Sequence, residues 1–215
     1  MRTHILVIGN EKGGTGKSTI TANLAVQALR DDLRVLVIDA DTQQSLVDFR
    51  TIRAEKDLPQ FQAVSITKPT IHKDAKNFNG FDLILIDAGG RITDTFRSAI
   101  MAADWLFIPV LPSQYDVWSA QTTIKILEEA RAFKTIPAGF VMNQVISNTR
   151  ISQEVLGALQ EFTLPVLDTK LCSRVAYKQS IGEGKAVIEY EPDGKAASEV
   201  STLWLEIKKL IEISK

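Results

Sequence analysis

A short apolar run followed by a stretch of helical spacing recurs along this chain, and that repetition limits the fold more than any other feature. Ile5-Leu6-Val7-Ile8 stops at Gly9, Val35-Leu36-Val37-Ile38 at Asp39, and Leu83-Ile84-Leu85-Ile86 at Asp87. Trp105-Leu106-Phe107-Ile108 is expected to stop at Pro109, and Gly139-Phe140-Val141-Met142 at Asn143. Runs this short, bounded by glycine, proline or polar residues, read as strands. Both faces of each are apolar, so each must be covered on both sides, which points to a parallel sheet inside an α/β fold. Phe61 to Ile66 alternates weakly and is a further candidate strand.

The intervening segments carry the helical period. Lys17 to Leu29 puts Ile20, Leu24 and Leu29 on one face, with Ala22, Ala25 and Ala28 as strong helix formers. Helices are also predicted over 43–55, 71–77, 113–133, 152–162, 174–182 and 196–213. Within 113–133, Trp118, Thr122, Ile126 and Leu127 are expected to share a face; within 196–213, Val200, Leu203, Ile207, Leu210 and Ile211 are. The expected architecture is α/β: a mostly parallel twisted sheet flanked by helices on both faces, a three-layer sandwich. The 215 residues suit a single domain spanning 1–215.

The formal net charge of −1 gives no global attraction to nucleic acid or membrane, so any such affinity must come from a local patch. Cys172 is the one cysteine; it excludes an intramolecular disulfide and a four-cysteine metal site, and fits a reducing cytosol. The apolar run after Met1-Arg2-Thr3-His4 is too short for a signal-peptide core or a membrane span. The expectation is a soluble cytoplasmic protein.

In parallel sheets, ligands bind at the carboxyl ends of the strands, and the chemistry-bearing residues lie there. After the first strand comes Glu11-Lys12-Gly13-Gly14-Thr15-Gly16-Lys17-Ser18-Thr19. The usual phosphate-binding loop is G-x-x-x-x-G-K-[ST] between a strand and a helix. Gly16-Lys17-Ser18 supplies its end, but Glu11 stands where its first glycine belongs. An extra lysine, Lys12, precedes Gly13-Gly14 instead. The roles remain readable. Gly13, Gly14 and Gly16 let backbone N–H groups turn toward phosphate oxygens, and the helix beginning near Lys17 aims its positive end at the same anion. Lys17 would bridge the β- and γ-phosphates of ATP and Ser18 would ligate Mg²⁺. Leu83 to Ile86 followed by Asp87 is the Walker B pattern, whose carboxylate holds Mg²⁺ through water.

The segment Lys12 to Thr19, K-G-G-x-G-K-[ST], resembles the variant loop of the ParA/MinD family of P-loop ATPases. The resemblance implies that Lys12 crosses a dimer interface to the phosphates of the other subunit. Without the family, a solvated loop lysine and a phosphate-contacting lysine are equal readings. Asp39-Ala40-Asp41-Thr42-Gln43 resembles the family's first switch segment. It implies that Asp41 orients the attacking water and Asp39 assists around Mg²⁺; Thr42 stands where proline is common. Asp41 equally suits a helix N-cap. Ala88-Gly89-Gly90-Arg91 departs from the family's proline-containing turn and leaves Arg91 open to touch a partner or the neighbouring subunit. Asn143 resembles the asparagine of the family's V-x-N segment, which reads the adenine edge; a turn asparagine is the plain alternative. Arg174-Val175-Ala176-Tyr177 and the residues to Lys185 resemble the family's R-x-x-[FY] helix, which implies DNA contacts from Arg174, Lys178 and Lys185. A solvated helix face is the alternative.

Branches separate by what is missing. A single cysteine does not supply the paired cysteines of an iron-protein relative, and the tyrosines lie outside the tail. The 201–215 tail is amphipathic, but its polar face mixes Glu199, Glu206 and Glu212 with Lys208, Lys209 and Lys215. Attraction to anionic lipid is then weak, and a helix docked on the sheet is expected. By resemblance, the chain is a ParA-type ATPase for plasmid or chromosome partition or cargo positioning. Its ATP-bound homodimer would bind non-specific DNA, and hydrolysis, weak alone, would be stimulated by a separate centromere-binding or cargo adaptor protein. It would be cytoplasmic, and nucleoid-associated when ATP-bound. A MinD-like membrane-associated ATPase and a small ligase of the dethiobiotin synthetase type are the alternatives. Strand one begins so early that no N-terminal helix-turn-helix is expected.

Overall fold

The computed structural model describes residues 3–147 and 149–213. Met1, Arg2 and Lys215, the last assigned above to the tail's polar face, lie outside the described residues.

The strands β1 (His4–Ile8), β2 (Val35–Asp39), β3 (Gln62–Ser65), β4 (Leu83–Asp87), β5 (Trp105–Val110) and β6 (Ala138–Met142) form one sheet in the order β3-β2-β4-β1-β5-β6. Every pairing is parallel. Alternate residues of each strand feed opposite faces, as the pleat requires. Leu6, Ile8, Val35, Val37, Leu83, Leu85 and Phe107 pack under α1 (Lys17–Arg30), α2 (Ser45–Ala54), α8 (Val187–Tyr190) and α9 (Lys195–Ile211). Val7, Leu36, Ile38, Ile84, Ile86, Leu106 and Ile108 pack under α3 (Ile71–Asp74), α4 (Asp94–Ala102), α5 (Gln114–Arg131) and α6 (Arg150–Gln160). A further helix, α7 (Val175–Gly182), precedes α8.

Pro109 does not end β5, which continues to Val110. Phe107 faces β1 and accepts from the Gly9 N–H. Pro109, two residues on, faces the same side where β1 has already left the sheet, so its missing N–H costs no ladder bond. Its carbonyl accepts instead from Asn10 Nδ2 at 2.8 Å.

Helix α5 corrects a face. Val117, Ala120, Thr123, Ile126, Leu127 and Ala130 are buried, whereas Trp118 is 56% exposed and stacks edge-on with exposed Tyr115. Its start is a standard cap, with the Ser113 hydroxyl accepting the Asp116 N–H. Helix α9 docks as expected, but Trp204 is on its buried face and Leu210 is not. The indole N–H of Trp204 donates to Asp31 at 2.9 Å, Lys208 pairs with the same carboxylate, and Gln27 donates to Ser201 at 2.7 Å. The helix is thereby tied to α1 along its length. Helices α4 and α8 were not anticipated from the sequence. No helix among the described residues is long and apolar enough to cross a membrane.

Candidate nucleotide site

Strand order brings the expected residues together. β1 lies between β4 and β5, and β2 lies on the other side of β4, so Ile8 and Asp39 both stand in register with Asp87. The loop after β1 therefore starts beside two buried carboxylates.

The loop turns on left-handed glycines. Gly14 and Gly16 have φ of 78° and 87°, a region other residues avoid. Gly16 also caps α1, and a Cβ there would lie 2.2 Å from Asn143 Nδ2. The loop so formed holds Lys17 inward. Its ammonium donates to the Lys12 carbonyl at 2.9 Å, and the side chain is nearly buried. Burial lowers the Lys17 pKa, while Asp87 and Asp41 oppose that shift.

Ser18 donates to Asp87 Oδ2 at 2.6 Å, whereas Asp87 Oδ1 is buried with no hydrogen-bond partner among the described residues. Burial, with smaller contributions from the Asp39 and Asp41 charges, pushes Asp87 up to about 7, against the Ser18 bond and the Lys17 charge. An orphaned buried carboxylate oxygen beside a serine hydroxyl is the donor set a magnesium ion would take. Among the described residues no cluster of three or more His, Cys, Asp or Glu could hold a metal by itself. Mg²⁺ keeps waters and phosphate oxygens and takes few protein ligands, so Ser18 and Asp87 would be its protein share.

Asp39 and Asp41 differ in burial and in bonding. Asp39 is fully buried; its Oδ1 accepts the Asp41 N–H, and its Oδ2 accepts the N–H groups of Leu46 and Val47. Asp39 therefore anchors the start of α2. Burial raises its pKa, and those backbone bonds counter the shift. Asp41 is not the cap of α2. It accepts the Gln43 N–H in a local turn, and the formal cap, Gln44, makes no side-chain capping bond.

Lys12 points away from its own cradle. Its ammonium is 2.6 Å from Asp116 Oδ2 on α5, and Ser113 donates to the same oxygen. Asn10, not singled out in the sequence, is the node that fixes this arrangement. Its Oδ1 accepts from the Lys12 N–H, Ser119 and, at 3.4 Å, Thr123, and Thr123 also accepts the Glu11 N–H. The signal was Ser119 and Thr123 four apart on the buried face of α5, facing a loop that begins with an amide.

Asn143 donates to the Thr15 carbonyl at 2.7 Å, so its amide braces the loop. It also lines a cavity of about 100 Å³ with Gly16, Thr19, Arg174, Tyr177 and Lys178. Of the basic residues expected on a DNA face, Arg174 is held by Glu199 at 2.9 Å and Lys185 by Glu183 at 2.9 Å. Lys178 is exposed on α7.

A parallel sheet whose first loop cradles a buried lysine, beside a serine–aspartate pair with an unpartnered oxygen, defines a P-loop nucleotide-binding protein. The sequence matches the CobQ/CobB/MinD/ParA nucleotide binding domain over residues 6–187, and the chain belongs to that family of ATPases, which act on ATP with Mg²⁺. It is 30% identical over 210 residues to maintenance of carboxysome distribution protein A of Halothiobacillus neapolitanus, covering 94% of this chain and 95% of that protein. Its fold is similar to the septum site-determining protein MinD of Pyrococcus horikoshii complexed with Mg-ADP (TM-score 0.78, 21% identity, 98% of each chain). It is also similar to the ATP complex of a Cyanothece McdA variant (TM-score 0.77, 22% identity, 99% of this chain and 98% of that one).

Proposed function

We propose that the chain is a ParA-type positioning ATPase whose ATP-bound form is a sandwich dimer, with Lys12 reaching the partner's phosphates. One observation carries this: the two loop lysines have separate places. Lys17 occupies its own cradle, donating to the Lys12 carbonyl, whereas the Lys12 ammonium is parked on Asp116. A lysine held outside its own phosphate cradle is free to be delivered in trans, in the manner of an arginine finger. Dimerisation and catalysis are then one event. Within each subunit, the backbone N–H groups of residues 13–19 and Lys17 bind the phosphates, and Ser18 and Asp87 hold Mg²⁺. Asp41 orients the attacking water; Asp39 holds Asp41 in place while assisting around the ion. The base occupies the cavity beside Asn143.

The dimer binds non-specific DNA through α7, with Lys178 leading. Arg174 and Lys185 contribute only after releasing Glu199 and Glu183. An adaptor protein bound to a centromere-like site or a cargo stimulates hydrolysis and resets the cycle, giving a nucleoid-associated ATP state. The buried apolar face of α9 supports DNA over a membrane surface as the matrix.

The test is ATP-dependent co-sedimentation with DNA and, separately, with anionic liposomes. DNA retention that Lys178→Ala weakens more than Arg174→Ala supports the reading. Retention by liposomes alone would transfer the protein to the membrane-associated class, and retention by neither would sink the positioning function.

A further inference from the structure

Two cavities open at opposite ends of the phosphate loop. The Gly16–Thr19 end meets the cavity beside Asn143. The Gly13 end meets a second cleft of about 360 Å³, lined by Asp41, Gly89, Gly90 and Arg91 among others. A nucleoside triphosphate laid along the loop with its base in the first cavity carries its terminal phosphate into the second.

The turn after β4 is pressed against this terminal end. A Cβ on Gly90 would lie 2.9 Å from Gly13 Cα and 3.2 Å from Lys17 Nζ. One on Gly89 would lie 3.5 Å from Asp41 Oδ2. Two consecutive glycines thus let the chain pass between the loop lysine and the switch aspartate, and the next residue is an arginine at the cleft's edge. Arg34, Arg53, Arg97, Arg131, Arg150 and Arg174 are each paired with a carboxylate. Arg91 is exposed and, like Arg30 and Arg50, forms no ion pair among the described residues, but of these three it alone lines the cleft.

We propose that Arg91 is a γ-phosphate ligand acting within its own chain: an arginine set on the glycine turn so that its guanidinium closes over the terminal phosphate opposite Lys17. The planar fork of an arginine matches phosphate oxygens in a way a lysine does not. The same contact distinguishes ATP from ADP, because only the triphosphate reaches the Gly13 end. The inference rests on the site being an ATP site and needs neither the dimer nor DNA.

The experiment is calorimetric titration of the purified protein with a non-hydrolysable ATP analogue and with ADP, both with Mg²⁺, for wild type, Arg91→Ala and Arg91→Lys. For Arg91→Ala, a lost charge-assisted bond should weaken the ATP analogue roughly 10- to 100-fold. ADP should stay within about twofold, which also certifies the fold. Arg91→Lys should recover part of the loss. Equal weakening of both nucleotides, or no change in either, would overturn the proposal. A wild type that binds neither nucleotide would instead remove the nucleotide reading beneath it.

Discussion

Asp87 is the residue whose replacement tests the electrostatics of the site most directly. In the folded chain it ionises at about 7, against an ordinary 3.8. Between those values the folded state holds a proton that the unfolded state releases. Stability therefore falls as pH rises through that window and is flat above it. At roughly 1.4 kcal/mol per pH unit the full cost approaches about 4 kcal/mol. Asparagine has nearly the same shape, does not titrate, and still offers an oxygen to Ser18. Subtracting about 1–2 kcal/mol for an imperfect replacement of that bond, Asp87→Asn should be more stable than wild type by about 2–3 kcal/mol at pH 8. The advantage should vanish near pH 5 and reverse by about 1 kcal/mol near pH 4, where the burial cost is gone and only the weaker bond remains. Urea unfolding at several pH values, without nucleotide or magnesium, measures it. The same protein should lose the tightening of ATP binding by Mg²⁺. A stability difference that does not change with pH, or an asparagine protein less stable at pH 8, would refute the assigned burial cost.

Two further outcomes follow from the packing. Asp116→Asn weakens the hold on Lys12; with Lys12 about a third exposed, the pair is discounted to about 1 kcal/mol. Each dimer releases two such pairs, so ATP-dependent dimerisation, read by light scattering, should then tighten about 30-fold; weaker dimerisation would give Asp116 a different role. Arg53 is completely buried and pairs bidentately with Glu189 at 2.7 Å, while donating to the Pro59 and Gly184 carbonyls. Arg53→Met leaves Glu189 uncompensated and should cost about 3–5 kcal/mol in denaturant unfolding, whereas Arg53→Met with Glu189→Leu should recover much of it.

The sheet and the loop were legible because their signals are local. Apolar tetrads bounded by polar residues needed no partner to be recognised, and Gly16-Lys17-Ser18 carries its chemistry in three positions. What escaped depends on neighbours. Pro109 looks like a stop until the end of β1 leaves its nitrogen facing no strand. Trp118 and Thr122 have helical spacing, but Ala120 and Thr123 are what the sheet admits. Helix α4 has its own signal, the Thr93 cap accepting from Phe96 with Phe96, Ala99 and Ile100 buried behind it, yet it is short and follows a glycine turn. The pairing of Lys12 with Asp116 spans 104 residues, and the cation that holds Glu189 is an arginine in the middle of an amphipathic pattern. Composition is silent on both.

Helix α7 borders the cavity beside Asn143 through Tyr177 and Lys178, with Arg174 at its cap, and Lys178 is exposed to solvent as well. The helix is only eight residues long, too short for its parts to respond separately. A base seated in that cavity and a phosphate backbone gripping Lys178 would bear on one rigid body. Thermodynamic reciprocity then applies: whatever factor the nucleotide lends to the affinity for DNA, DNA must return to the affinity for nucleotide. If the proposed DNA binding holds, the protein would bind ATP more tightly with DNA than without it, and ATP affinity measured with and without DNA would report the coupling from either end.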